Sequence, residues 1–217
     1  MTELLGGEGL TLLVDFNSLP TYLALGETRR MVDEVNVQVH WFPLVKASGN
    51  FLIGTARANE NDPLAEYKAR RARAKKQFSL RELQRNCERL GISVERGERE
   101  IDSTSAALGL LWLNKIRAKP EIFWLYAESV FSSTFRDAES VEDLDVIEKK
   151  LDQCSVVTTG FTEFGSGDVL SKVQEEILEA GIFESPAYLY EGERFQGRQH
   201  LPLLHWLIGG RKGPPPV

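Results

Sequence analysis

Ser18 is the residue at which this sequence is best placed to do chemistry. It follows Thr11-Leu-Leu-Val-Asp-Phe16, an apolar, β-branched run of the kind that makes a buried parallel strand. It precedes Tyr22 to Val32, a stretch of helix formers, with Pro20 in the first turn where its missing N–H costs nothing. A hydroxyl at such a corner has two uses. It can cap the helix by accepting from a free N–H of the first turn. The same helix end carries roughly half a positive charge, which stabilises a thiolate, so Ser18 could donate to the sulfur of a bound thiol and lower its pKa. The carboxyl end of a strand entering a helix is also where α/β proteins place ligands.

The other reactive side chains give no second centre. Cys87 and Cys154 are the two cysteines and form no C-x-x-C, so neither a local redox pair nor a cysteine-based zinc site is available, and a reducing compartment is expected. Each falls on an apolar stripe at helical spacing, Cys87 with Leu83 and Leu90 and Cys154 with Ile147 and Leu151, as buried structural thiols do. His40, His200 and His205 are too scattered for a metal triad, and no metal is expected. Lys68, Arg70, Arg71, Arg73, Lys75 and Lys76 place six positive charges in nine residues. Alanines rather than aromatics lie between them, which suits a solvated helix face and not a nucleic-acid groove.

The elements that must position Ser18 follow from periodicity. Val35, Val37, Val39 and Trp41 alternate with polar residues, a second strand ending near Pro43 that completes a β-α-β unit. From Lys46 to about Leu151 the period is helical: one helix carries Leu80, Leu83, Cys87 and Leu90 and stops at Gly91, a second spans Ala106–Ile116, a third carries Phe123, Tyr126, Val130 and Phe131, and a fourth spans Val141–Leu151. Val169 to Ala180 reads as a helix capped by Asp168 and stopped by Gly181. A hairpin follows, Pro186–Tyr190 and Arg194–Gln196 around the turn Glu191-Gly-Glu193, and a last helix covers Leu201 to Ile208. Residues 1–45 and 160–217 thus form an α/β part, and 46–159 an all-helical insertion.

With 217 residues, 42% hydrophobic and 27% charged, the chain lies in the globular range and can bury a sizeable core. Its formal charge of −6 argues against nucleic acid or a membrane surface as the main partner. Met1 to Gly9 contains Glu3 and Glu8 but no Lys or Arg, and no segment approaches the roughly 20 apolar residues of a membrane span, so a cytoplasmic location is expected.

The order β-α-β, helical insertion, α-β-β-α is that of an α/β thioredoxin-like fold of the DsbA type. Local sequences resemble the branch containing 2-hydroxychromene-2-carboxylate isomerases and kappa-class glutathione transferases: Asp15-Phe-Asn-Ser-Leu-Pro-Thr-Tyr-Leu-Ala24, Phe42-Pro43 followed by Lys46-Ala-Ser-Gly-Asn50, Arg81-Glu-Leu-Gln-Arg, Leu90-Gly-Ile92, and Gly181-Ile-Phe-Glu-Ser-Pro186 through Leu204. The resemblance spans nearly the whole chain and is specific in its order and spacing more than in any one motif. It implies that Ser18 holds the reactive position, and that Ser185-Pro186 is a cis-proline loop whose backbone pairs with the cysteinyl part of glutathione. It further implies that Asn50 lies near the ligand's peptide and that a basic residue such as Lys68 reaches its carboxylate. Gly197-Arg-Gln-His200, with Arg198 and Gln199, would be the polar loop gripping the γ-glutamyl end, where Gln199 replaces the usual Asp. Leu19-Pro20 also departs from the branch, which usually has Pro then an aromatic residue.

The activity implied by this resemblance is a glutathione-dependent isomerase or transferase acting on a conjugated, aromatic-derived organic acid, in a family whose members are often dimers. The departures at Gln199 and Leu19-Pro20 motivate a second reading, a non-catalytic relative that binds a small molecule or a partner protein. A thiol-disulfide oxidoreductase is the poorest reading, because Ser18 and Thr21 leave no exchangeable pair.

Overall fold

Leu10–Val14 (β1) is buried along its whole length because it is the inner strand between two neighbours. The computed structural model describes residues 8–45, 64–91, 101–137 and 139–216. Within these, a four-stranded sheet has the order β2-β1-β3-β4, from Val39–Pro43 (β2), Ala187–Tyr190 (β3) and Glu193–Gln196 (β4). β2 runs parallel to β1 with Leu12 opposite Trp41, and β3 runs antiparallel with Leu12 opposite Tyr188. The parallel pair needs a crossover, supplied by the helix Leu19–Val35 (α1).

The helical elements after β2 are Ala65–Leu90 (α2), Thr104–Lys115 (α3), Pro120–Ser132 (α4), a π-turn at Ser133–Asp137, and Leu144–Gln153 (α5). Phe161–Gly165 (α6) and Val169–Glu179 (α7) return the chain to the sheet, and after β4 come a 3-10 turn at Arg198–His200 and Leu201–Ile208 (α8). This is the expected thioredoxin-like order with a helical insertion. No helix among the described residues is long and apolar enough to cross a membrane.

The period of two along β1 sorts side chains to two faces. Leu10, Leu12 and Val14 join the larger core with α1, α8 and the insertion helices, whereas Leu13 joins Ala187, Leu189 and Ile177 of α7 on the other face. The insertion is fastened to the sheet through aromatic packing. Trp41 of β2 meets Trp124 edge-on at 4.6 Å, and Phe16 meets Phe131 at 5.0 Å and Tyr126 edge-on at 5.8 Å. Each such pair adds about 0.5–1.5 kcal/mol beyond area burial.

Several element ends differ from expectation by a residue or more, and at three the structure shows the reason or the local contact. Val35 ends α1 rather than opening a strand: Asn36 adopts a left-handed C-cap (φ 51°) whose N–H returns to Val32, so β2 begins only at Val39. Val141 precedes α5 instead of starting it. Asp168 stands at the start of α7, but its carboxylate pairs with Lys172 one turn on at 2.8 Å and makes no cap bond.

Candidate active site

Ser18 sits at the N-cap of α1 in extended backbone, and its Oγ accepts from the Thr21 N–H at 3.3 Å. Its O–H donates to the Ser185 carbonyl at 3.3 Å, across 167 residues of sequence. The Ser185-Pro186 bond is cis, as the family resemblance implies. Ser18, Thr21 and Ser185 are all buried, with Ser18 only 7% exposed.

Ser185 is the hub. Its Oγ accepts from the Asp15 N–H at 2.9 Å, lies 2.5 Å from Thr21 Oγ1, and reaches the Leu13 carbonyl at 3.4 Å. A hydroxyl offers one donor and two acceptor sites, so the set closes when Thr21 donates to Ser185 and Ser185 donates to Leu13. The corner is held from the insertion side as well: Asp15 Oδ1 accepts from the Asn17 N–H at 2.8 Å and from Ser103 Oγ at 3.4 Å, and Asn17 Oδ1 accepts from the Ile101 N–H. The sequence places Thr21 one helical turn from Ser18, at the second position of an oxidoreductase pair, but its bond to Ser185 is not legible there.

The expected site residues separate into two places. Ser18, Ser185 and Pro186 come together at the corner. Arg198 and Gln199 instead line a cleft of about 490 Å³ with Glu27, Glu34, Met31 and His205, from the later turns of α1 and from α8. Glu27 lies nine residues past Ser18, about 13 Å along the helix axis. Arg198 is directed to Glu82 at 3.8 Å, and the Gln199 amide donates to the Gln196 carbonyl at 2.8 Å. Lys68 is exposed on α2 together with Arg70, Arg71 and Arg73, and Asn50 lies outside the described residues.

Cys87 and Cys154 are both free and buried. Burial pushes the Cys87 thiol up, with Glu88 adding to it; for Cys154 burial also raises it, partly offset by Lys150. Burial and a raised pKa both disfavour the reactive thiolate of each. A thiol-reactive chromophore should therefore label neither cysteine in the native protein on the timescale that labels both after unfolding. Rapid labelling of either would revive the dithiol reading. Among the described residues no cluster of His, Cys, Asp or Glu could hold a metal ion.

The insertion holds a second polar cluster at the start of the π-turn. Lys150, buried on α5, donates to Ser133 Oγ at 2.6 Å; Ser133 Oγ contacts Glu139 Oε2 at 2.6 Å, and Lys150 lies 3.7 Å from the same carboxylate. The hydrogen bond from Ser133, then the charge of Lys150, hold the Glu139 carboxyl below its usual range. Because its folded pKa is the lower, the stability it contributes is complete above the unfolded value of about 4.3 and is lost as pH falls through the folded one. Glu139→Gln should accordingly show a shallower loss of stability on acidification than the parent, measured by urea unfolding between about pH 5 and pH 3. An unchanged acid slope would place the proton uptake elsewhere.

No family model matches the sequence, and no curated protein matches it. Solved structures do. A 2-hydroxychromene-2-carboxylate isomerase superposes with a TM-score of 0.61 at 16% identity, over 92% of this chain and 94% of its own. A proposed protein disulfide isomerase from Nitrosomonas europaea gives 0.63 at 14% identity, over 95% and 100%. A proposed DsbA oxidoreductase from Streptomyces coelicolor gives 0.61 at 14% identity, over 96% and 92%.

Proposed function

Given that the chain carries the DsbA-like thioredoxin fold, we propose that its Ser18 corner binds the thiol of glutathione and that the protein is a glutathione-dependent isomerase or transferase acting on a conjugated, aromatic-derived organic acid. The observation that supports this reading is the Ser18 hydroxyl at the N-terminus of α1, bonded to the carbonyl of Ser185 just before Pro186. A hydroxyl donor at a helix end suits a sulfur anion. Nothing at the corner suits dithiol exchange, since Ser18 and Thr21 occupy both positions.

Glutathione, when bound, supplies a sulfur that adds to a conjugated carbon and later leaves it, re-forming the double bond with no net oxidation. The role of Ser18 is to turn its O–H from the Ser185 carbonyl to that sulfur, which favours the ionised form. Ser185 and Thr21 keep the N-terminus of α1 fixed against β1 while this happens. Arg198 and Gln199 would meet the γ-glutamyl end, Gln199 as a neutral amide that makes a weaker bond to an ammonium than a carboxylate does. Asn50 and Lys68 would meet the peptide and a carboxylate. A screen of conjugated aryl acids with glutathione tests the reading: turnover that falls at least tenfold in Ser18→Ala supports it, and no turnover of any member opposes it.

A second reading, a non-catalytic binding protein, is favoured by a specific feature. Both hydrogen bonds of Ser18 are used within the protein, and the Gln199 amide is turned back on Gln196. Glutathione that binds without turnover would favour it.

A further inference from the structure

We propose that Arg136, presented by the π-turn over the first turns of α1, anchors the carboxylate of a ligand held at the Ser18 corner; this deepens the reading above and rests on it. The argument begins with Tyr22. It follows Ser18 by four residues, so the two share one face of α1, about 6 Å apart along the axis. A helical side chain leans toward the N-terminus and covers the turn before its own Cα. The ring of Tyr22 therefore lies over the turn that starts at Ser18.

The ring is fixed there. It stacks on Phe131 at 5.5 Å and on Phe135 at 5.7 Å, with interplanar angles of 17° and 14°. Arg136 follows Phe135 on the π-turn, and its Nε donates to Tyr22 Oη at 2.6 Å with the guanidinium carbon 6.0 Å from the ring centroid. Tyr22 thus takes up the Nε edge of the fork. The two terminal nitrogens of this exposed side chain are left, and among the described residues no carboxylate pairs with it. Two parallel N–H donors on a plane match a carboxylate, a geometry that lysine cannot reproduce.

The turn that carries the arginine is built rather than frayed. Here the Lys150–Ser133–Glu139 contacts secure its first residue, and Thr134 Oγ1 donates to the Val130 carbonyl at 3.0 Å. The same α-helix that packs Phe131 on Phe16 of the corner therefore leads into the turn that holds Arg136 against Tyr22 of α1.

The carboxylate could belong to the organic acid or to glutathione itself, and calorimetry separates the two. Cinnamate, its uncharged isostere cinnamamide, and glutathione are titrated into the parent, Arg136→Gln and Arg136→Lys, with the unfolding temperature of each variant as a fold control. The expected result is a preference of about tenfold for cinnamate over cinnamamide that disappears in Arg136→Gln and partly returns in Arg136→Lys. If glutathione binding weakens in Arg136→Gln instead, the anchored carboxylate is the peptide's. If Arg136→Gln changes neither the cinnamate preference nor the affinity for glutathione, the assignment is overturned. Failure of glutathione to bind the parent would refute the proposed function alone, because the cinnamate comparison is read without it.

Discussion

Ser185→Ala is expected to lower the stability of the protein by about 3 kcal/mol, and to do so without changing the volume of the core by more than one oxygen. Ser185 uses all of its hydrogen-bonding capacity inside the corner. Alanine would remove the acceptor that the Asp15 N–H uses and the partner of the Thr21 hydroxyl at a buried position, at roughly 1–3 kcal/mol for each group left unsatisfied. Urea unfolding should show the midpoint falling with an unchanged slope, and the thermal midpoint should drop by roughly 6–12 °C for a chain of this size. A loss below about 1 kcal/mol would mean that Asp15 and Thr21 find other partners, and that the corner is wetter than its burial indicates.

Gly109→Ala should cost a similar amount, about 3 kcal/mol, although helix propensity alone points the other way. Alanine in mid-helix is worth up to ~1 kcal/mol over glycine. At Gly109, however, an added Cβ would fall on Tyr126 Oη and lie 2.7 Å from Ile147 Cγ2, where α3, α4 and α5 meet. Tyr126 is fully buried and its hydroxyl donates to the Ala106 carbonyl at 2.7 Å, so it cannot swing out without abandoning that bond. Overpacking of this kind costs about 1–3 kcal/mol, and the lost hydrogen bond adds to it. The strain would also reach the corner, because the edge of Tyr126 rests on Phe16. A neutral or stabilised Gly109→Ala would show that the helices of the insertion part easily, and would weaken the view that they hold the corner rigid.

What the sequence disclosed of this architecture is what local chemistry encodes. Ser18 with Pro20 marked the start of α1, Gly91 the end of α2, and the Glu191-Gly192 turn the hairpin, since each is decided within a few residues. Ambiguity arose where two local signals conflicted: Val35 and Val37 alternate as a strand would, yet Asn36 closes the helix there, and Asp168 could cap α7 but pairs with Lys172. The corner was legible only at its ends. Ser18 and Ser185-Pro186 were visible through resemblance, but Thr21 meets Ser185 across 164 residues and Arg136 meets Tyr22 across 114, and no spacing rule announces either pair. The π-turn at Ser133–Asp137 likewise has no local signature. Its first residue is held by Lys150 from α5 and by Glu139 just past the turn.

The most direct measurement is a calorimetric titration of glutathione into the parent protein and Ser18→Ala, followed across pH by the ultraviolet absorbance of the thiolate. A thiol stabilised by Ser18 and the end of α1 should ionise about one to two units below its free value of roughly 8.5, so the bound thiolate appears at lower pH in the parent. Ser18→Ala should bind more weakly and shift the ionisation back toward the free value. Glutathione that fails to bind either protein at millimolar concentration, or that binds and ionises identically in both, would contradict a thiol site at this corner.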